Sequence, residues 1–175
     1  MKRTLLILSF ITLTFLSYGQ GEYEAQSQKL SKADSSLLAQ TFSEFIKAIE
    51  QKDTGKIKEL SLANINCNFC LTNDLSEDNI IPIDTFINQS YRNFVSSPLY
   101  NSIKKNRLHQ SVGIIKEFKP KNVPDNFPKD LMLYEVWVQT YLPNEWAQGH
   151  EGQTHVFEFI KTNDIFKFFG LSSIP

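Results

Sequence analysis

Leu131 to Leu142 (LMLYEVWVQTYL), Gln153 to Ile160 (QTHVFEFI) and Ile165 to Phe169 (IFKFF) together decide the fold. Across them the period of the pattern is near two, that of a strand with two faces. Within 153–160, His155, Phe157 and Phe159 share one face, and Val156, Glu158 and Ile160 share the other. Thr162-Asn163-Asp164 supplies the turn between the last two strands. His109 to Phe118 repeats the period of two and adds a fourth strand upstream. The connector 119–130 holds Pro120, Pro124 and Pro128, which makes it a stiffened loop rather than a strand.

Before Leu108 the period is near four. Asp34 or Ser35 is placed to cap a helix running to Lys52, with Leu38, Phe42, Phe45, Ile46 and Ile49 on one stripe. Asp53-Thr54-Gly55 ends it, and a shorter helix through Ile57, Leu60 and Leu62 follows. Asn64 to Cys70 (NINCNFC) sets Ile65, Cys67 and Phe69 against asparagines, a first strand with one wet face. Residues 72–82 are rich in turn formers and predict a loop. Pro82 to Val95 predicts a further helix, with Ile83, Phe86, Ile87, Tyr91, Phe94 and Val95 inward. Pro98 interrupts it, and another turn or two spans 99–105.

The order is thus helix, helix, strand, helix and four strands, which predicts an α+β domain with a three-helix layer on a strongly curved antiparallel sheet. Over residues 34–173 this order resembles that of the NTF2-like superfamily, a cone-shaped α+β fold akin to the cystatin-like cone. It looks most like the small exported bacterial members of that superfamily. The resemblance rests on topology and length and carries no signature motif. It implies a cavity between sheet and helices, where enzymes of the superfamily keep a carboxylate or histidine base and a tyrosine or protonated acid. It also implies pairing of two copies through the outer face of the sheet.

The first residues give an address. Met1-Lys2-Arg3 is basic, Leu5 to Leu16 (LLILSFITLTFL) is apolar, and Ser17-Tyr18-Gly19 has the small residues of a cleavage site. Residues 1–19 therefore predict a signal peptide, too short in its apolar run for a bilayer span. Residues 20–33 (QGEYEAQSQKLSKA) predict a flexible leader, and 34–175 the single domain. The expected product is exported, to the periplasm or beyond, with no membrane span after cleavage. Removing 1–19 takes two of the 18 basic and none of the 19 acidic residues, leaving a net charge of −3. Basic and acidic residues are interspersed, which argues against a nucleic-acid partner.

Chemistry could reside in few places. Cys67-Asn68-Phe69-Cys70 admits three readings: a structural disulfide, a redox pair, or half of a zinc site completed by His150 and His155. A redox pair is usually placed at a helix N-terminus, whereas here an acidic, loop-like stretch follows. The histidines have no metal-ligand spacing, so no metal and no cofactor is expected. The strand residues that could line a cavity are Tyr134, Glu135, Trp137, Tyr141, His155 and Glu158. Alternation puts Glu135, Trp137 and Tyr141 on one face with Tyr134 opposite, and separates His155 from Glu158. In the loop 141–152, Trp146 with His150 forms a candidate recognition patch. The expected role is non-catalytic binding of a small ligand or a protein partner in or around the sheet. The alternatives are a cavity enzyme of isomerase or lyase type and thiol redox chemistry at Cys67 and Cys70.

Overall fold

The computed structural model describes residues 26–68, 70, 79–90 and 93–174. The expected signal peptide, the start of the leader, and Phe69 and Tyr91 of the expected apolar faces lie outside these residues.

A 20-residue helix, α1 (Lys32–Gln51), opens the domain. Its cap is Ser31, whose Oγ accepts from the Asp34 amide at 3.0 Å and donates to the Asp34 carboxylate at 2.9 Å. Asp34 and Ser35 therefore lie inside the first turn, because Ser31 and Asp34 satisfy each other three residues apart. The stripe Leu38, Phe42, Phe45, Ile46 and Ile49 is buried. Each such side chain contributes about 1.5–3 kcal/mol by leaving water. Lys52 ends the helix in the left-handed conformation, at φ 57°, and α2 (Thr54–Glu59) follows, capped by Asp53. Leu62, expected on that second helix, already belongs to a strand.

The sheet has seven strands: β1 (Gln26–Gln28), β2 (Ser61–Cys67), β3 (Ile80–Pro82), β4 (Leu108–Ile115), β5 (Leu131–Tyr141), β6 (Gln153–Thr162) and β7 (Ile165–Ile174). They lie side by side in the order β1-β4-β5-β6-β7-β2-β3, an open sheet with β1 and β3 at its edges. Between β3 and β4 come α3 (Ile83–Ser90), a 3-10 turn at Phe94–Ser96, and α4 (Pro98–Lys104).

Four expectations change. The sheet is mixed rather than antiparallel, because β2 runs parallel to β7. Alternation of side chains is blind to strand direction, and a parallel neighbour requires a long crossover, here everything from β3 to β6. The leader is not wholly irregular, since 26–28 pair with β4. The loop 72–82 gives its last three residues to β3, which pairs with β2. Of the expected helix 82–95, Ile83–Ser90 is helical and Phe94–Ser96 is a 3-10 turn.

One face of the sheet is covered by the helices. Phe42 and Phe45 of α1 and Phe86 of α3 meet Phe157, Phe159 and Phe168 of the sheet. Ring centroids lie 4.4 Å apart for Phe45–Phe168, 5.1 Å for Phe42–Phe157 and 5.4 Å for Phe86–Phe168. Most of these pairs meet edge to face or tilted, as their quadrupoles favour. The opposite, outer face carries a smaller cluster of Val123, Leu131, Ile160 and Phe169, against which Phe118 and Phe127 of the proline-rich connector pack. The prolines hold that loop across the outer face.

The last strand runs on to Ile174, five residues past the expected end at Phe169, by means of a bulge. Glu158 pairs with Gly170 and Phe159 with Phe168, which leaves Phe169 as the extra residue. The bulge inverts the alternation. Phe168 and Leu171 both join the helix-side core, while Phe169, Gly170 and Ser172 fall on the outer face.

Candidate functional site

The six candidate strand residues divide between the faces. Tyr134 is on the helix side but deep at the far end, packed edge-on against Phe166 at 4.7 Å. Burial holds its phenol above the ordinary range. Tyr141 and His155 also reach the helix side and share one pocket. Tyr141 escapes the alternation that grouped it with Glu135 and Trp137, because β5 slips register against β6 between Gln139 and Tyr141. Glu135, Trp137 and Glu158 line no cavity under the helices; they lie on the outer face, as strand parity requires once Tyr134, Val136 and Val138 are in the core.

The helix-side pocket has a volume of about 300 Å³ and opens where α4 and the 3-10 turn meet β5 and β6. Its walls are Ile49, Phe86, Phe94, Leu99, Phe157 and Leu171. Ser97 caps α4 through the Tyr100 amide at 3.1 Å, and Pro98 starts that helix without a wasted donor, which fixes Leu99 over the pocket. The polar corner is His155, whose Nδ1 shares a hydrogen with Thr140 Oγ1 at 2.7 Å. Burial lowers the imidazole's affinity for a proton, so at neutral pH His155 is the uncharged ring. Such a pocket can hold a small apolar body and offer it one hydrogen-bonding corner.

Trp146 is 64% exposed at the tip of the following loop. Its ring stacks on Tyr141 at 5.8 Å and meets His150 at 4.8 Å, so it sits beside the pocket through Tyr141. The loop is braced: Glu145 accepts from Arg107 at 2.8 Å and from the Leu142 amide at 2.7 Å.

On the outer face two acids face each other directly across β5 and β6, Glu135 and Glu158. Glu135 accepts from Ser111 Oγ at 2.5 Å and from Trp137 Nε1 at 3.1 Å. Glu158 is only 8% exposed and accepts from Ser172 Oγ at 2.5 Å. Burial pushes its carboxyl up to about 7; the Ser172 hydrogen bond opposes this, Glu135 adds to it, and Asn66 also opposes it. Gly170 makes the arrangement feasible. A Cβ there would stand 2.7 Å from Glu158 Oε2 and 2.7 Å from the Asn66 carbonyl.

Cys67 and Cys70 are bonded to each other and both are buried. Both sulfurs are engaged in that bond, so neither is available to a metal, and Cys67 is the last residue of β2. This disulfide removes the zinc reading. Among the described residues no three His, Cys, Asp or Glu side chains are grouped to hold a metal ion, and no helix is long and apolar enough to cross a membrane.

Phe86 and Phe94 read in the sequence only as inward residues of a helix, and the pocket residues Thr140 and Leu99 and the outer-face residues Asn66 and Ser172 carry no local signal. Gly170 carries one, a glycine inside an aromatic strand, which marks a bulge or a close backbone approach. Compared with known protein families and with curated proteins, the chain matches none.

Proposed function

We propose that this chain is an exported, NTF2-like binding module that holds a small, mainly apolar ligand in the His155 pocket. The observation that carries the reading is the pocket's lining: six apolar walls, with polar groups from Asn93, Ser97, Gln153 and the hydrogen-bonded pair His155 and Thr140. The phenylalanine cluster closes the pocket on its inner side, and a wider, more polar cleft of about 970 Å³ runs between α1 and β4, lined by Phe42, Lys47, Glu50, Gln110 and Val136. The size of the His155 pocket is at the lower limit of what ligand pockets usually offer, so the ligand is a small one. The signal-like segment 1–19, the buried disulfide and the helix layer over one sheet face support export and the cone-shaped family fold. Binding is favoured over catalysis because no carboxylate lines the pocket; the acids that could have faced His155 are on the other side of the sheet.

Native mass spectrometry of protein exported by its own host, without reductant, tests this. The expected result is a species that starts near Gln20, lighter by two hydrogens, and carries a non-covalent adduct. The adduct should vanish from Leu99→Trp, which fills the pocket. Folded protein that never carries an adduct, or an adduct untouched by Leu99→Trp, would sink the proposal.

A further inference from the structure

The wide cleft between α1 and β4 is bounded by a strand edge that the sheet leaves open. The Gln139 amide donates to the Arg107 carbonyl at 3.1 Å, and this fixes the alternation of the ladder. Arg107, His109 and Ser111 turn their backbone groups toward β5, so Leu108 and Gln110 turn theirs the other way. On that side β1 covers the edge only as far as Val112, opposite Gln28, before the chain leaves to begin α1. Two amides and two carbonyls of β4 therefore stand at the rim of the cleft, where an incoming strand can pair with them. The floor is apolar, formed by Phe42, Ile46 and Val136. One end is closed by Gln110, whose side chain accepts from the Ser35 hydroxyl at 2.6 Å and donates to the Ser35 carbonyl at 3.2 Å. The other end is charged. There Glu50 accepts from the Tyr100 hydroxyl at 2.7 Å and lies 3.8 Å from the Lys104 ammonium. Lys47, one turn earlier on α1, is exposed and has no ion-pair partner among the described residues.

We propose that this cleft binds an extended peptide, added to β4 as a further strand in line with β1. Pairing to an open edge takes its affinity from backbone hydrogen bonds and its selectivity from alternate side chains. β1 already runs antiparallel to β4 along this edge and sets the direction. The two peptide residues opposite Gln110 and Leu108 exchange backbone hydrogen bonds with them. Their side chains fall on the face of Val112, the core side, and so rest on Phe42, Ile46 and Val136. The residue between them turns to the outer face beside His109. Beyond Leu108 the peptide leaves toward Lys47, where an acidic residue finds a cation. The ligand class is thus an extended peptide with apolar residues at two alternate positions, followed by an acid. The cleft shares no lining residue with the His155 pocket, so the two sites stand or fall separately.

The probe is the peptide acetyl-Thr-Val-Thr-Val-Asp-amide, titrated into the disulfide-intact, isotopically labelled protein and followed by amide NMR shifts. Saturable shifts are expected at Leu108, His109 and Gln110. Methylating the nitrogen of either valine removes a donor aimed at β4 and should weaken binding by about tenfold. Methylating the nitrogen of the middle threonine, which faces away from β4, should leave binding unchanged. Lysine in place of the aspartate should weaken binding by about three- to tenfold, and Lys47→Glu should abolish that preference. Ser43→Trp, an exposed position of α1 in the cleft, should abolish binding. Equal loss at all three methylated nitrogens, shifts confined to other parts of the domain, or no saturable binding at millimolar peptide would overturn the proposal. Should Ser43→Trp fail to fold, the methylated series on the unchanged protein still decides.

Discussion

The two faces of the sheet bury side chains by opposite means. Under the helices, apart from the His155–Thr140 corner, burial is carried by rings: Phe45, Phe157, Phe159 and Phe168 are wholly buried and touch one another. On the outer face burial includes polar groups, each held by a specific neighbour: Glu135 by Ser111 and Trp137, and Glu158 by Ser172. The first kind of burial tolerates no missing volume, the second no missing partner. Stability should therefore be concentrated on the helix side, and sensitivity to pH on the outer side.

The strongest challenge to this contrast is Phe168→Ala, which opens a void where four rings converge, those of Phe45, Phe86, Phe157 and Phe159. A loss of about 3–5 kcal/mol is expected in denaturant unfolding, with little change in pH dependence. A loss below 1 kcal/mol would mean that the ring cluster is not the seat of stability. Glu158→Gln is the converse experiment. The native carboxyl, at about 7 against an ordinary 4.5, holds its proton more tightly than the unfolded chain does. Its contribution is thus full below about pH 4.5 and is lost as the pH rises through about 7, by about 3 kcal/mol in all. The variant should flatten that decline; a wild-type curve level between pH 5 and 8 would contradict it. Gly170→Ala sharpens the same point from the backbone. It should cost about 1–3 kcal/mol as β2 or the Glu158 carboxylate gives way, and a neutral thermal midpoint would show that neither is fixed. The smallest effect belongs to the disulfide. Its loop is short, so Cys67→Ser with Cys70→Ser should lower stability by about 2 kcal/mol or less. A larger fall would assign the bridge a part in the packing itself.

Legibility in the sequence followed element length. The stripe of α1 and the alternation of β4, β5 and β6 repeat often enough to declare their period and faces, and Pro98 marked the start of α4. β1 and β3 are three residues each, too short to show any period, and were absorbed into a leader and a loop. The partner of β2 could not be read, because local pattern contains no information about direction. The bulge at Phe169 hid Ser172 and Gly170 from the outer face by inverting parity, although Gly170 was a visible hint. Of the site, Tyr141 and His155 were foreseen, but not that the two would share a pocket with Thr140.

The parallel pairing of β2 with β7 also sets an order of events. Asn66 waits for Gly170, more than a hundred residues later and near the end of the chain. Non-local closure of this kind slows folding, since chain entropy is lost before the contacts that offset it form. The first half of the domain can make α1 and the β2–β3 hairpin, but it has no sheet to join until the last strand exists. Docking of β2 and β3 onto the sheet is therefore expected to be a late event in folding, after β7 has joined β6.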